Sequence, residues 1–482
     1  MMQTSPGPIT LPSIIVKNEE VLLKTNIYWE SLYILVKVKP LCMLYLPFWL
    51  IRGFAYLREQ LISRALPNEK YLPYNQELLE YLHQQKNMGR ELYLATSSSP
   101  EIGSRIASHL GLFKAVVDIQ ELLEAAEASS TGDLPGGRES SSFVYVCHDE
   151  DEIPNGLNNR LAGVVLVDSS NIKHHSTYKK HKIEKIITAP RSGWIEYARA
   201  IRIHQWIKNL LVFVPLIAAH QITDTALLFR ATLAFIAFCL CASGVYLLND
   251  LFDIEADRKH PKKSGRPVAA GKIAIKTASL LVPLFTLLAI LIGAFLGITF
   301  VSILLVYLVI TVLYTIWLKR VVLVDVVLLA ALYTIRIFAG GAAVAIMPSF
   351  WLLSFSMFIF FSLALMKRSS DLYQARTSEQ AIMEGRGYVA ADARIVQNMG
   401  TASGYMSVLV MALYINSEDV QLLYSRPWVL WFICPLLLYW VSRVWVCVSR
   451  GMMQEDPILF TIKDWVSYAV AVAACFILWL AS

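Results

Sequence analysis

TASLLVPLFTLLAILIGAFLGITFVSILLVYLVITVLYTIWL, from Thr277 to Leu318, contains no charged residue, and neither does the tract from Ile337 to Met366. A bilayer core of roughly 30 Å needs about 20 apolar residues per helix, so the first tract supplies a pair of spans and the second most of one. Outward from these tracts, apolar stretches bounded by charges and turn residues predict nine spans, near 205–219, 229–248, 277–296, 299–318, 323–343, 349–366, 399–415, 427–447 and 465–481. The chain reads as a multi-pass integral protein of an inner or plasma membrane.

Charge placement orients it. Arg258, Lys259, Lys262, Lys263, Arg266, Lys272 and Lys276 follow the second span, Lys319 and Arg320 the fourth, and Lys367 and Arg368 the sixth. Basic loops stay in the cytoplasm, which places these connections and the N-terminus there. At 482 residues, 56% apolar and 17% charged, the chain exceeds one ordinary domain and departs from soluble composition. Its net charge of +6 needs no nucleic-acid partner, because loop topology and phosphate-rich ligands account for it. Cys239, Cys241, Cys434 and Cys475 lie in predicted spans, Cys447 at a span end, and Cys42 and Cys147 before the spans. No disulfide framework or CxxC metal site follows. The first residues lack the pattern of a cleaved signal peptide, so the first span is expected to direct insertion.

Residues 1–192 read as a separate cytoplasmic domain and 193–482 as the membrane domain. Strands are predicted at Ser13–Val16, Glu91–Thr96, Phe143–Cys147 and Gly163–Val167, with a helix at Pro100–Leu110 and a loop at Ser129–Ser142. This alternation predicts a doubly wound α/β sheet. Leu41–Ile51 is uncharged but too short to span. It reads as a segment at the membrane interface, with Arg52 and Arg58 toward head groups, or as an ordinary buried helix.

The run Leu92-Tyr93-Leu94-Ala95-Thr96-Ser97-Ser98-Ser99-Pro100, followed by Ile106-Ala107-Ser108-His109-Leu110-Gly111-Leu112-Phe113, resembles the second motif of haloacid-dehalogenase-like phosphatases. In that family a strand-end Thr or Ser binds the transferred phosphoryl group. The family's Asp-x-Asp is represented by Lys17-Asn18-Glu19, and a lysine cannot form an aspartyl-phosphate. Its Mg²⁺-binding Gly-Asp-x-x-x-Asp appears as Cys147-His148-Asp149-Glu150-Asp151-Glu152, an acidic cluster that still has metal-binding potential. The resemblance implies a degenerate haloacid-dehalogenase-like domain, a scaffold or regulatory unit, rather than an active phosphatase.

The chemistry concentrates at Asn249-Asp250-Leu251-Phe252-Asp253-Ile254-Glu255-Ala256-Asp257. On a helix Asn249, Asp253 and Asp257 recur every four residues and Asp250 follows Asn249, so they share one broad face. Carboxylates this close stay ionised most easily around a hard cation, and Mg²⁺ suits a site whose substrate brings phosphate oxygens. A solvated acidic helix end is the alternative. The basic segment His260-Pro261-Lys262-Lys263-Ser264-Gly265-Arg266-Pro267 that follows favours the metal reading, since its cations take phosphate charge the metal leaves uncovered.

Asn-Asp-x-x-Asp-x-x-x-Asp followed by His-Pro-x-Lys-x-x-Arg-Pro-x-x-x-Gly resembles the first aspartate motif of the UbiA superfamily of intramembrane prenyltransferases, and the likeness extends over about residues 199–482. The resemblance implies an all-α fold of about nine transmembrane helices and a Mg²⁺-dependent transferase. Where the superfamily has a second Asp-x-x-x-Asp motif, this chain has Lys367-Arg368-Ser369-Ser370-Asp371. With Arg202 to Asn209 entering span one, Lys319-Arg320 with Asp325, and Asp456-Pro457 before Lys463-Asp464, this resembles the branch that includes decaprenyl-phosphate phosphoribosyltransferase. That branch implies phosphoribosyl diphosphate as the Mg²⁺-bound donor and a polyprenyl phosphate as the acceptor. Asn249, Asp250, Asp253 and Asp257 are then the metal and diphosphate residues, with Asp250, Asp253 and Asp257 as metal ligands. Lys208, Lys262, Arg266, Lys367 and Arg368 are phosphate-binding candidates. Arg336, costly to bury in a span, faces a phosphate or carboxylate or pairs with Asp325. Prenyl transfer from a polyprenyl diphosphate to an aromatic or other small acceptor shares the first motif. A non-enzymatic scaffold or transporter fits less well, because the charges sit at helix ends rather than the midplane.

Overall fold

The computed structural model describes residues 11–96, 100–121, 142–167, 181–188, 193–377, 387–453 and 457–482. Most of the expected loop at Ser129–Ser142, the residues Ser97 to Ser99, and Asp456 lie outside these. The chain forms two compact units, Met1–Ile201 with Tyr246–Leu281, and Arg202–Val245 with Val282–Ser482. The single division expected after residue 192 is therefore replaced: the Asp-rich segment clusters with N-terminal residues.

The first unit is built on a parallel sheet of β1 (Ser13–Val16), β2 (Leu92–Thr96), β3 (Ala115–Asp118), β4 (Phe143–Cys147), β5 (Leu161–Val167) and β6 (Ile183–Ile187), in the order β3-β2-β1-β4-β5-β6. The central strands are continuous apolar runs because both faces are covered. Side chains alternate: Ile14 and Val16 of β1 join one core with Leu94, Val144 and Val146, while Ile15 joins the opposite one with Tyr93, Tyr145 and Cys147. Helices α1 (Ile27–Val38), α2 (Gln76–Asn87) and α3 (Pro100–Leu110) flank it. Asn26 and Asn75 cap the first two, accepting hydrogen bonds from Tyr28 and Trp29, and from Leu78. The doubly wound sheet agrees with the sequence reading, which omitted β3 and β6. Both are edges, one short and one interrupted by Glu184 and Lys185, so neither shows the buried apolar run that marked the others.

Strand order reverses between β1 and β4, the place where open parallel sheets bind ligands. Here that crevice holds an internal ion pair: Lys17 Nζ lies 2.9 Å from Glu152 Oε2, and the His148 N–H donates to the same carboxylate oxygen. Glu19, nearly fully buried, bonds to Thr96. Burial, with the neighbouring charge of Glu20, pushes its carboxyl up to about 6 from an ordinary 4.5.

The second unit is helical. Six helices are long and apolar enough to cross a membrane: α4 (Thr225–Phe252), Ile275–Leu296, Ile298–Ile316, Val324–Val344, Phe350–Gln374 and Pro427–Ser449; the first two run on into residues of the first unit. Helices stand at the other three of the nine expected positions but fall short of that standard. Ile203–Ala218 and Trp465–Ala481 are apolar but short, and eleven residues of the former wind as a 3₁₀ helix. Ala393–Ile415 is long enough but carries Gln397, Asn398, Thr401, Ser403 and Ser407. That helix approaches its neighbours through Gly400 and Gly404: a Cβ on the first would collide with the Trp445 indole and on the second with Val441.

The buried Glu19 yields a pH-dependent prediction. Its raised pKa means that its contribution to stability is full below about pH 4.5 and is lost as pH rises through about 6, where a charge must be buried. Glu19→Gln should therefore stabilise the first unit by roughly 2 kcal/mol near pH 8 and by little near pH 4. Thermal unfolding of the full chain, followed by proteolysis between the strands, checks this.

Candidate active site

The helix expected to run through the aspartates breaks. α4 ends at Phe252, Asp253 adopts φ −98° and ψ 10°, and a short helix α5 (Ile254–Lys259) follows. Turn-like hydrogen bonds continue across the break, from Asp253 N–H to the Asn249 carbonyl and from Asp257 N–H to that of Asp253. Its consequence is a division of the carboxylates. Asp250 and Asp257, both almost fully buried, converge on one guanidinium nitrogen of Arg266, at 3.2 and 2.6 Å. Asp253 turns instead to Lys37 of α1, whose Nζ lies 3.2 Å from Oδ1 and also donates to the Phe252 carbonyl at 2.9 Å. The ammonium thus meets the negative end of α4 as well as a carboxylate. Burial raises the pKa of Asp257 and the charge on Asp250 adds to this, against the opposing pull of Arg266.

Among the described residues no three Asp, Glu, His or Cys side chains are grouped to hold a metal ion unaided. The sequence-based triad of Asp250, Asp253 and Asp257 is therefore a pair, with Asp253 committed elsewhere. A pair of buried carboxylates bridged by a cation still fits Mg²⁺, which takes one or two carboxylates and fills its remaining positions with water and substrate phosphate.

Three α1 residues that sequence reading missed hold this segment. Glu30, buried, grips Arg258 with two hydrogen bonds of 2.8 and 2.7 Å, and Arg258 Nε donates to the Ala269 carbonyl. The Tyr33 hydroxyl lies 2.8 Å from Ser279 Oγ and its ring meets Phe252 edge-on. Lys37 is the third. Gly271, at φ +67°, completes the fit, because a Cβ there would fall 2.7 Å from that of Lys24. Glu30 and Arg258 lie 228 residues apart in sequence, and no local pattern links them. Lys262 is exposed on the basic loop and Asn249 is half-buried at the end of α4.

A second group of cations gathers in the helical unit. Lys208 and Lys367 line one cavity with Leu329, Tyr333, Leu363, Ala364 and Pro457. Arg336 is buried, donating to Asn209 Oδ1 at 2.8 Å, to the Tyr307 hydroxyl at 3.1 Å and to the Leu332 carbonyl. Its guanidinium lies 5.6 Å from the centre of the Tyr333 ring, and Lys208 Nζ lies 5.8 Å from the same centre. The partners of Arg336 are neutral, so the alternative of a pair with Asp325 does not hold. Asp325 instead meets Arg368 Nε at 2.9 Å, and both residues are fully buried. Arg368 also pairs with Asp371 at 2.8 Å, while the Tyr388 hydroxyl donates to Asp325 and accepts from the Leu323 N–H. Arg368, expected on phosphate, is turned into the protein. Burial beside Asp325 and Asp371 gives it the counter-charge that a guanidinium needs there.

Comparison of the sequence with known proteins gives its family. Residues 210–465 match the UbiA prenyltransferase family. The chain is 32% identical over 467 residues to the uncharacterized protein y4nM of Sinorhizobium fredii, covering 95% of this chain and 89% of that one. It is 34% identical to nodulation protein NoeC of Azorhizobium caulinodans, over 57% of this chain and 90% of that one. With decaprenyl-phosphate phosphoribosyltransferase of Mycolicibacterium smegmatis the identity is 33%, over 51% of this chain and 77% of that one. The family match covers more than half of the chain, including the aspartate segment, Arg336, Lys367 and Arg368, and the protein belongs to the UbiA prenyltransferase family as an integral membrane transferase.

Proposed function

We propose that this transferase moves 5-phosphoribose from phosphoribosyl diphosphate to a polyprenyl phosphate. The observation that carries the reading is the cavity in which Lys208 and Lys367 stand beside Leu329, Leu363 and Ala364, with Arg336 across Tyr333. Two ammoniums against apolar walls match a phosphate-headed lipid. A second carboxylate-bound Mg²⁺ would require acidic side chains at that place, and cations stand there instead. A relative named decaprenyl-phosphate phosphoribosyltransferase supports the same donor and acceptor.

Asp250 and Asp257 would hold Mg²⁺, which when bound neutralises charge developing on the diphosphate leaving group. Arg266 positions these carboxylates and is aligned to take a phosphate oxygen through its remaining N–H groups. Asn249 and Lys262 offer further donors at the same segment. Lys208 and Lys367 hold phosphate. The C1–O bond to diphosphate breaks with its electron pair on the leaving group, and a lipid phosphate oxygen closes the new bond to C1. The residues act electrostatically, and none has to accept a proton. Arg368 serves as a positioning residue that fixes the chain at Lys367. In this reading the N-terminal domain lies on the cytoplasmic side as a degenerate phosphatase-like unit, which the Lys17–Glu152 pair supports because a lysine there cannot form an aspartyl-phosphate.

Purified full-length protein supplied with Mg²⁺, labelled phosphoribosyl diphosphate and polyprenyl phosphate should place the label in the lipid phase. Consumption of polyprenyl diphosphate with an aromatic acceptor, and no ribosyl lipid, would sink the proposal. Asp250→Asn should abolish transfer and weaken Mn²⁺ binding measured by magnetic resonance. Lys208→Met and Lys367→Met should each raise the KM for a phosphate substrate about tenfold to a hundredfold, the loss of a charged hydrogen bond.

Two structural ion pairs give contrasting outcomes. Arg368→Met removes the guanidinium that faces the buried Asp325 carboxylate and should destabilise the helical unit by about 3–5 kcal/mol, with Asp325→Asn restoring much of the loss. Glu30→Gln should lower turnover and speed hydrogen exchange in residues 254–270. Glu30→Arg combined with Arg258→Glu should recover protection, and unchanged exchange in Glu30→Gln would refute the bracing role.

A further inference from the structure

The segment after α1 winds as a 3₁₀ helix, Pro40–Tyr45, and a short α-helix, Leu46–Ile51, and shows two unlike faces. Its inner side is seated: Trp49 packs with Leu35, Leu61 and Ala65, and Arg64 stacks on the Trp49 ring at 4.8 Å. The outer side is apolar and open, with Leu44 at 70% exposure, Phe48 at 65% and Ile51 at 83%, and with Leu41, Tyr45 and Phe54 beside them. A soluble surface scatters such residues singly, whereas here they are contiguous on an ordered element.

Charge decides the occupant. From Ser31 to Arg58 there is no Asp or Glu, while Lys39, Arg52 and Arg58 are exposed around the apolar side chains. Apolar and aromatic side chains flanked by cations, with the first acidic residue after them at Glu59, complement an anionic lipid surface, where the apolar groups enter the acyl boundary and the cations meet head-group phosphates. The segment is too short to span, so it lies in the interface plane. The same chain carries helices able to cross a membrane, so a bilayer is present at high effective concentration and modest insertion suffices.

We propose that Leu41–Phe54 is an interfacial anchor that inserts into an anionic bilayer surface. The anchor begins three residues after the end of α1, the helix that carries Glu30, Tyr33 and Lys37 to the aspartate segment. Insertion therefore restrains the brace as well as the domain.

The test uses full-length protein in phosphatidylglycerol-containing nanodiscs, with Cys42 and Cys475 replaced by alanine. A nitroxide is attached through Leu44→Cys, Phe48→Cys or Ile51→Cys, and through Met88→Cys, another exposed position of the same unit, as the aqueous control. Collision with oxygen relative to a water-soluble nickel chelate should be several-fold higher at positions 44, 48 and 51 than at 88. Adding Phe48→Glu and Ile51→Glu should return the label at 44 to the aqueous value. Nickel accessibility at all three positions equal to that at 88 would overturn the anchor. So would shielding from both colliders, or dipolar broadening between copies, either of which would show that protein covers the face.

Discussion

A charge removed from water must meet its counter-charge, and this constraint organises both units. Asp250 and Asp257 share Arg266, Asp253 takes Lys37, Glu30 takes Arg258, and Asp325 takes Arg368. The Arg266 pairings are local, 9 and 16 residues apart, whereas Lys37–Asp253 and Glu30–Arg258 tie segments more than 200 residues apart. The aspartates therefore do not stand alone as an acidic helix end. They are held by cations that are themselves fixed by other contacts.

The division among these cations separates structural pairs from residues suited to ligand exchange. Arg368 and Arg258 are buried, and their removal would strand a carboxylate in low dielectric. Arg266 is more accessible and touches two carboxylates through one nitrogen, so its fork has capacity for an anion. Lys208 and Lys367 line a cavity, and Arg336 meets neutral groups and aromatic rings while adding positive potential near Tyr333. Two adjacent residues, Lys367 and Arg368, thus stand in different surroundings, one lining a cavity and one buried against Asp325.

The N-terminal unit acquires a physical role from α1 irrespective of any chemistry at its own sheet. Lys17 and Glu152 pair at the carboxyl ends of its central strands, and α1 contributes Glu30, Tyr33 and Lys37 to contacts with the aspartate segment. The relative y4nM matches across 95% of this chain, so the comparison with it includes residues of both units.

The membrane helices, the buried strands and the aspartate segment were legible in the amino-acid order, because they rest on local signals: charge-free length, apolar runs and short-range spacing. It placed β1 and β4 at their observed bounds and marked Lys367 as a departure from an acidic motif. It did not reveal that Ile203–Phe213 winds as a 3₁₀ helix or that polar groups interrupt Ala393–Ile415, so three of the nine expected positions hold helices less clearly able to cross a membrane than the other six. The break of the helix at Asp253, the inward turn of Arg368 and the meeting of Glu30 with Arg258 emerged from the folded chain alone. Those outcomes depend on which charges share a desolvated space, and that is set by chain segments far apart in sequence.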